Sequence, residues 1–279
     1  ANSRNLVSIR VLREVGVPQT FDHAVRFGCK VDDFPKNLTL ALGTGEVAPM
    51  DMARAYSVLA NGGFLVEPFL IQRIKENRKG IIFKANPLQA CDDCDKMPQT
   101  GHLLGQDIGI SAVRPAPRAI SAQNHYLMNS MLQDVIRVGT ATDAKKLGRK
   151  DLAGKTGTTN DQRDAWFNGF HPGLVTVVWV GFDNYTSLGR KETGGKAALP
   201  AWINYMREAL NKVPEKPLKM PSGMYALRID PDTGRPATPD QKNAISEAFR
   251  VGGPPRKLVG TTEDALRPKG PISSPVESV

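Results

Sequence analysis

The heptapeptide GKTGTTN at residues 154–160 runs straight into two β-forming stretches, 165–170 and LVTVVWVGF at 174–182, joined by His171, Pro172 and Gly173. A three-residue turn between two such runs predicts an antiparallel hairpin, which commits this part of the chain to sheet. Gly-Lys-Thr is also how a phosphate-binding loop ends. Such a loop follows a buried strand, opens a helix and has its first glycine five residues ahead of the second. Arg149 occupies that place, Gly148 is one residue out of register, the preceding DAKKLGRKD is polar, and sheet rather than helix follows. The phosphate reading fails on each count.

A strand that carries the same residues asks for less. Side chains alternate along it, so Thr156 and Thr158 point the same way and both hydroxyls can donate to one carboxylate. Lys155 adds a positive field, and Gly157 lets a ligand backbone come close. The peptide N–H of Thr158 can stabilise a developing oxyanion. This set suits acyl transfer on a short peptide that ends in a free carboxylate.

Acyl transfer also needs a nucleophile and groups that move protons. Ser3-Arg4-Asn5 is the one Ser-x-Asn triplet in the chain and stands just ahead of a helical pattern. Each residue also has a plain structural reading. Ser3 could be a helix N-cap with Asn5 in the first turn. Lys155 could be a solvent-facing strand lysine, and Thr158 and Thr159 ordinary β residues.

Residues 3–15 read as a helix, with Leu6, Ile9 and Leu12 recurring at threes and Val7, Val11 and Val15 at fours, stopped by Gly16 and Pro18. A second helix is expected at 50–59, ended by Asn61, Gly62 and Gly63. FLVEPFLIQRI (64–74) and residues 81–84 read as strands around a turn at 77–80. Residues 85–117 turn to Pro, Gly, Asp and Gln without periodicity and read as an irregular insertion. Ser121 is the expected N-cap of a helix reaching about Val138. Residues 198–210 read as an amphipathic helix with Trp202, Ile203, Met206 and Leu210 inward, and Trp166 and Trp179 also read as core. Residues 1–213 are expected to form one domain, and 214–279 a proline-rich, partly flexible extension.

The net charge of +9, from 37 basic against 28 acidic residues, reads as a solvated basic surface or a face toward an anionic polymer or membrane. No nucleic-acid motif accompanies it, so nucleic acid is not an expected partner. Three cysteines occur, and the C-x-x-C of Cys91 and Cys94 lacks the further ligands a zinc site needs. A local disulfide in an oxidising compartment and free thiols both fit this pair. His23, His102, His125 and His171 are scattered without ligand spacing. No metal is expected.

Ser-Arg-Asn ahead of a helix, then Lys-Thr-Gly ahead of a hairpin and a last helix, resembles the transpeptidase domain of penicillin-binding proteins. SRNLVSIRVLREVG, MARAYSVLANGG, DLAGKTGTTNDQRDAWFNGF and VVWVGFDN carry the likeness to the bifunctional class A enzymes of Gram-negative bacteria, over about residues 1–213. The resemblance implies a penicillin-recognising α/β (α+β) fold, an antiparallel sheet flanked by helices. It implies peptidoglycan cross-linking through a serine acyl-enzyme, with stem peptides, the lipid-linked precursor and β-lactams as ligands. No organic cofactor is needed. Ser3, Asn5 and Lys155 take the catalytic places, and Thr156, Gly157 and Thr158 the substrate-binding ones.

The family's Ser-x-x-Lys motif is absent, since no serine has a lysine three residues on; Ser187, for example, is followed by Arg190. The attacking serine is therefore expected upstream of Ala1. A glycosyltransferase domain and an inner-membrane anchor helix are expected there too, which places the protein in the periplasm. The chain alone is expected to be inactive and to depend on that missing part of itself. Envelope activator proteins are possible partners, and a non-catalytic envelope scaffold is the alternative reading.

Overall fold

The computed structural model describes residues 2–91, 102–103, 106–107 and 114–253. The first apolar run forms α1 (Asn5–Val15), and Gly16, at φ +94°, breaks it from α2 (Val17–Arg26). Pro18 therefore opens a second helix, since proline at the first turn gives up no intrahelical bond. Only Leu12 of α1 is buried; Leu6, Val7, Val11 and Val15 are exposed, so the apolar stripe is not covered by the described residues. Next come α3 (Pro49–Ala60) and the hairpin of β1 (Arg73–Glu76) and β2 (Gly80–Lys84).

The long strand expected at 64–74 is shortened to its last residues. Pro68 has no N–H for a ladder, and Leu70 is 96% exposed. Within 85–117 the described pairings are two residues long. β3 (Leu88–Gln89) runs parallel to β6 (Arg114–Pro115), and β4 (His102–Leu103) is antiparallel to β5 (Gln106–Asp107). Cys91 is disulfide-bonded and Cys29 is free. Cys94 lies outside the described residues.

Helix α4 (Ala122–Arg137) starts as expected, the Ser121 hydroxyl accepting from the N–H of Asn124 at 3.2 Å. Its buried Asn129 donates to the carbonyl of Leu59 at 2.8 Å, and His125 Nε2 lies 2.9 Å from the same oxygen. Both satisfy an orphan carbonyl at the C-terminal end of α3, which fixes the two helices to each other.

The central sheet is antiparallel in the order β7 (Ala153–Thr158), β8 (Asp164–His171) and β9 (Leu174–Gly181). The hairpin expected from the β runs is present, tightened to a Pro172-Gly173 turn because His171 pairs with Leu174. Phe167 and Phe170 of β8 lie on opposite faces, three residues apart. Phe167 packs edge-on to Trp202 of α5 (Leu199–Ala209), ring centroids 4.9 Å apart, in a core with Val135, Met206 and Leu210. Phe170 meets Tyr56 of α3 at 6.2 Å, with Val58, Leu59, Leu132 and Ala153 around it. Burial at Tyr56 pushes its phenol up to about 12. Helices thus cover both faces of β8, as the expected architecture requires.

Trp202 is fully buried, but Trp179, read as core, is 37% exposed. It lies on an edge strand, where its indole donates to Asp164 at 2.8 Å. The first unit spans Ala1–Lys219 and a second spans Met220–Val279. The second contains a hairpin that the proline-rich sequence did not suggest, β10 (Met224–Ile229) against β11 (Ile245–Arg250), with Tyr225 and Phe249 paired across it.

Candidate active site

Strand β7 is anchored at one end and open at the other. Ala153 and Gly154 are buried, Lys155 to Gly157 half-buried, and Thr158 exposed. The anchor continues backward into a buried ionic cluster. Asp151 accepts from Arg149 Nε at 3.0 Å and Nη2 at 2.7 Å, and from the Lys216 N–H at 2.8 Å. Arg149 also donates to the carbonyls of Val213 and Pro214.

His171 Nε2, at the end of β8, lies 3.2 Å from Asp151, while its Nδ1 accepts the Gly173 N–H at 3.0 Å. That bond puts the ring proton on Nε2, the nitrogen nearer the carboxylate. Burial would raise the Asp151 pKa, but the bonds from Arg149 and Lys216 hold it below the usual carboxylate value. Burial pushes His171 down. The cluster ties β7, β8 and the segment after α5 together away from the cleft, and the sequence reading gave neither Arg149 nor His171 this part.

The open half of β7 forms one wall of a cleft of about 590 Å³, lined by Ser3, Asn5, Lys155, Thr156, Gly157 and Thr158 among others. All six residues singled out from the sequence meet there. Lys155 Nζ donates to the Ser3 hydroxyl at 2.5 Å and to the Thr156 carbonyl at 2.7 Å, across 152 residues of chain in the first case. Burial pushes the Lys155 ammonium below its ordinary value. Ser3 does not cap α1. The N-cap residue is Arg4, and Ser3 stands ahead of it at φ +49°, a region non-glycine residues seldom adopt.

The Thr159 N–H donates back to the Asp164 carbonyl of β8 at 3.1 Å. Alternation then turns the Thr158 N–H the other way, to the free edge of β7. The Thr158 hydroxyl accepts the Gly194 N–H at 3.0 Å, which leaves its own proton for a ligand. Only glycine fits at 194, because a Cβ would lie 2.3 Å from the Trp166 carbonyl and 2.4 Å from that of Gly157. At Gly157 the crowding is likewise internal, an added Cβ coming 3.1 Å from Cβ of its cross-strand partner Trp166.

Sequence reading missed Ser8, Thr140, Thr193 and Gly195, which also line the cleft. The Thr-Gly-Gly run at 193–195 just before the last helix was the available signal for two of them. A smaller hollow of about 120 Å³ beside Cys29, Asp33, Glu46 and Asp51 is a poorer candidate. Burial and then Asp51 raise the Cys29 thiol, which favours its protonated form.

Residues 26–205 match the penicillin binding protein transpeptidase domain. The chain is 44% identical over 271 residues to Penicillin-binding protein 1A of Pseudomonas aeruginosa, covering 89% of this chain and 33% of that protein. It is 39% identical over 285 residues to Penicillin-binding protein 1A of Vibrio cholerae, covering 93% of this chain and 34% of that one. The crystal structure of Penicillin-binding protein 1A from Haemophilus influenzae superposes with a TM-score of 0.81 at 38% identity, over 92% of this chain and 40% of that chain. The chain thus spans about a third of the length of the two curated relatives.

Proposed function

Because the chain belongs to the penicillin-binding protein transpeptidase family, we propose that it forms the substrate-holding wall of a serine D-Ala–D-Ala transpeptidase. The enzyme cross-links peptidoglycan stem peptides, and β-lactams occupy the same site. One observation carries this reading: Lys155 and Ser3, 152 residues apart in the chain, meet in a hydrogen bond within one cleft.

The residues divide the work. Thr156 and Thr158 hydroxyls hold the terminal carboxylate of the stem peptide or the β-lactam. The Thr158 N–H, on the free edge of β7, supplies one donor to the oxyanion that forms as a serine attacks the scissile carbonyl. Asn5 hydrogen-bonds the substrate's amide, and Gly157 keeps that stretch of strand narrow. Ser3 passes a proton to the departing amine of D-alanine. The ammonium of Lys155 donates to its oxygen, which leaves the Ser3 proton free to move outward. The acyl-serine is then attacked by an amine of a neighbouring stem.

No serine here has a lysine three residues on, so the attacking serine belongs to the remainder of the protein. That remainder also supplies the second oxyanion donor and an inner-membrane anchor, with this domain in the periplasm. Among the described residues no helix is long and apolar enough to cross a membrane.

Labelling with a fluorescent penicillin tests the assignment. The 279-residue chain alone is expected to take up no covalent label, and the complete protein one per molecule. A stoichiometric adduct on the isolated chain would overturn the placement of the nucleophile. In the complete protein Thr158→Val is expected to slow acylation ~10–100-fold, since one carboxylate donor is lost. An unchanged rate would remove that hydroxyl from the site.

A further inference from the structure

Each threonine hydroxyl of the carboxylate-binding pair has a hydrogen-bonding group behind it. Thr158 Oγ1 accepts the main-chain N–H of Gly194 at 3.0 Å. Thr156 Oγ1 lies 2.7 Å from the hydroxyl of Thr140, and either can donate. Thr140 follows α4 and lines the same cleft. It is exposed but firmly placed. Its neighbour Ala141 is completely buried, and the Ala141 N–H donates to the Val135 carbonyl at 3.0 Å. On the other side Gly195 comes close enough that an added Cβ would sit 3.3 Å from the Thr140 carbonyl.

We propose that Thr140 is a positioning residue for carboxylate recognition, its hydroxyl donating to Thr156 so that the Thr156 proton points to the ligand. This rests on the functional reading above. With the cleft empty, the Thr140–Thr156 pair has two proton arrangements, one of which turns the Thr156 proton away from the ligand position. An arriving carboxylate can only accept, so it selects the chain Thr140 O–H to Thr156 O–H to carboxylate. A hydroxyl that accepts one bond while donating another is a better donor to an anion. Thr158 has the same arrangement already fixed, because a main-chain N–H can only donate. The carboxylate is therefore held by two relays, one rigid through Gly194 and one adjustable through Thr140.

The test uses the complete protein and measures acylation by benzylpenicillin and by its uncharged methyl ester. Thr140→Val is expected to lower the second-order acylation rate for the acid about five- to tenfold, the size of one lost hydrogen bond. The ester rate should stay within about twofold, and Thr140→Ser should restore the acid rate. Equal losses on acid and ester, no loss on either, or a serine variant as slow as valine would each overturn the assignment to Thr140. A wild-type protein that takes no label at all would overturn the transpeptidase reading, and this inference with it.

Discussion

Lys155→Met in the complete protein is expected to slow β-lactam acylation by about a thousandfold, the combined scale of a lost electrostatic donor and impaired proton transfer. The side chain is half-buried, and it donates to Ser3 and to the strand's own carbonyl at Thr156. Methionine keeps most of the length and the unbranched shape, so the fold should survive. What disappears is the charge that, under the proposed mechanism, orients Ser3 and attracts the carboxylate. Stopped-flow labelling checks this, and a rate within about threefold of wild type would remove Lys155 from the mechanism.

Burial favours the neutral form of this lysine. If the charged form is the active one, activity should fall as pH rises through a value below the ordinary 10.5. That alkaline limb should be missing from whatever residual activity the methionine variant keeps.

Asp151→Ala should produce the largest change in stability, a loss of about 3–5 kcal/mol, because it leaves the Arg149 guanidinium and the Lys216 N–H without their carboxylate. For a unit of this size that is a fall in melting temperature of about 10 °C. The side chains of Asp151 and His171 are 1% and 2% exposed, so water cannot readily take the place of the lost acceptor. Differential scanning calorimetry reads the effect directly, and a shift under about 2 °C would show that the cluster contributes little.

The acid limb follows from the same groups. His171 has its folded pKa pushed down, so the unfolded chain binds its proton first, and stability falls as pH drops below the ordinary 6.5. Asp151 is also depressed, and its contribution is kept until pH falls below the ordinary 3.8 and is then lost through its lower folded value. Acid sensitivity should therefore begin with the histidine.

The sheet was legible because its signals are local. Period-two alternation around Lys155, a β-branched run and a Pro-Gly turn need no distant partner to be read. The helix capped by Ser121 was legible for the same reason. Residues that act through distant contacts were not. His171 reads as a turn residue until Asp151 is seen across from it, and Thr140 reads as helix-end punctuation until Thr156 faces it.

Ser3 lies between these cases. Its sequence position suits an N-cap, and only the meeting with Lys155 separates the two readings. α1 had a clear apolar stripe, but its periodicity could not tell which residues would cover it. The hairpin after residue 220 was hidden by prolines and turn residues that fall between its strands or beside them rather than inside them.

Under the proposed function the free edge of β7 bears on how a cell can escape a β-lactam. Hydroxyls at positions 156 and 158 can be removed by a single codon change, but the N–H of residue 158 belongs to every amino acid except proline. Under the proposed mechanism the growing cell wall needs those hydroxyls as much as an antibiotic does. Selection for resistance is then pushed away from this strand, toward positions that alter access to it or the rate at which an acylated enzyme is replaced.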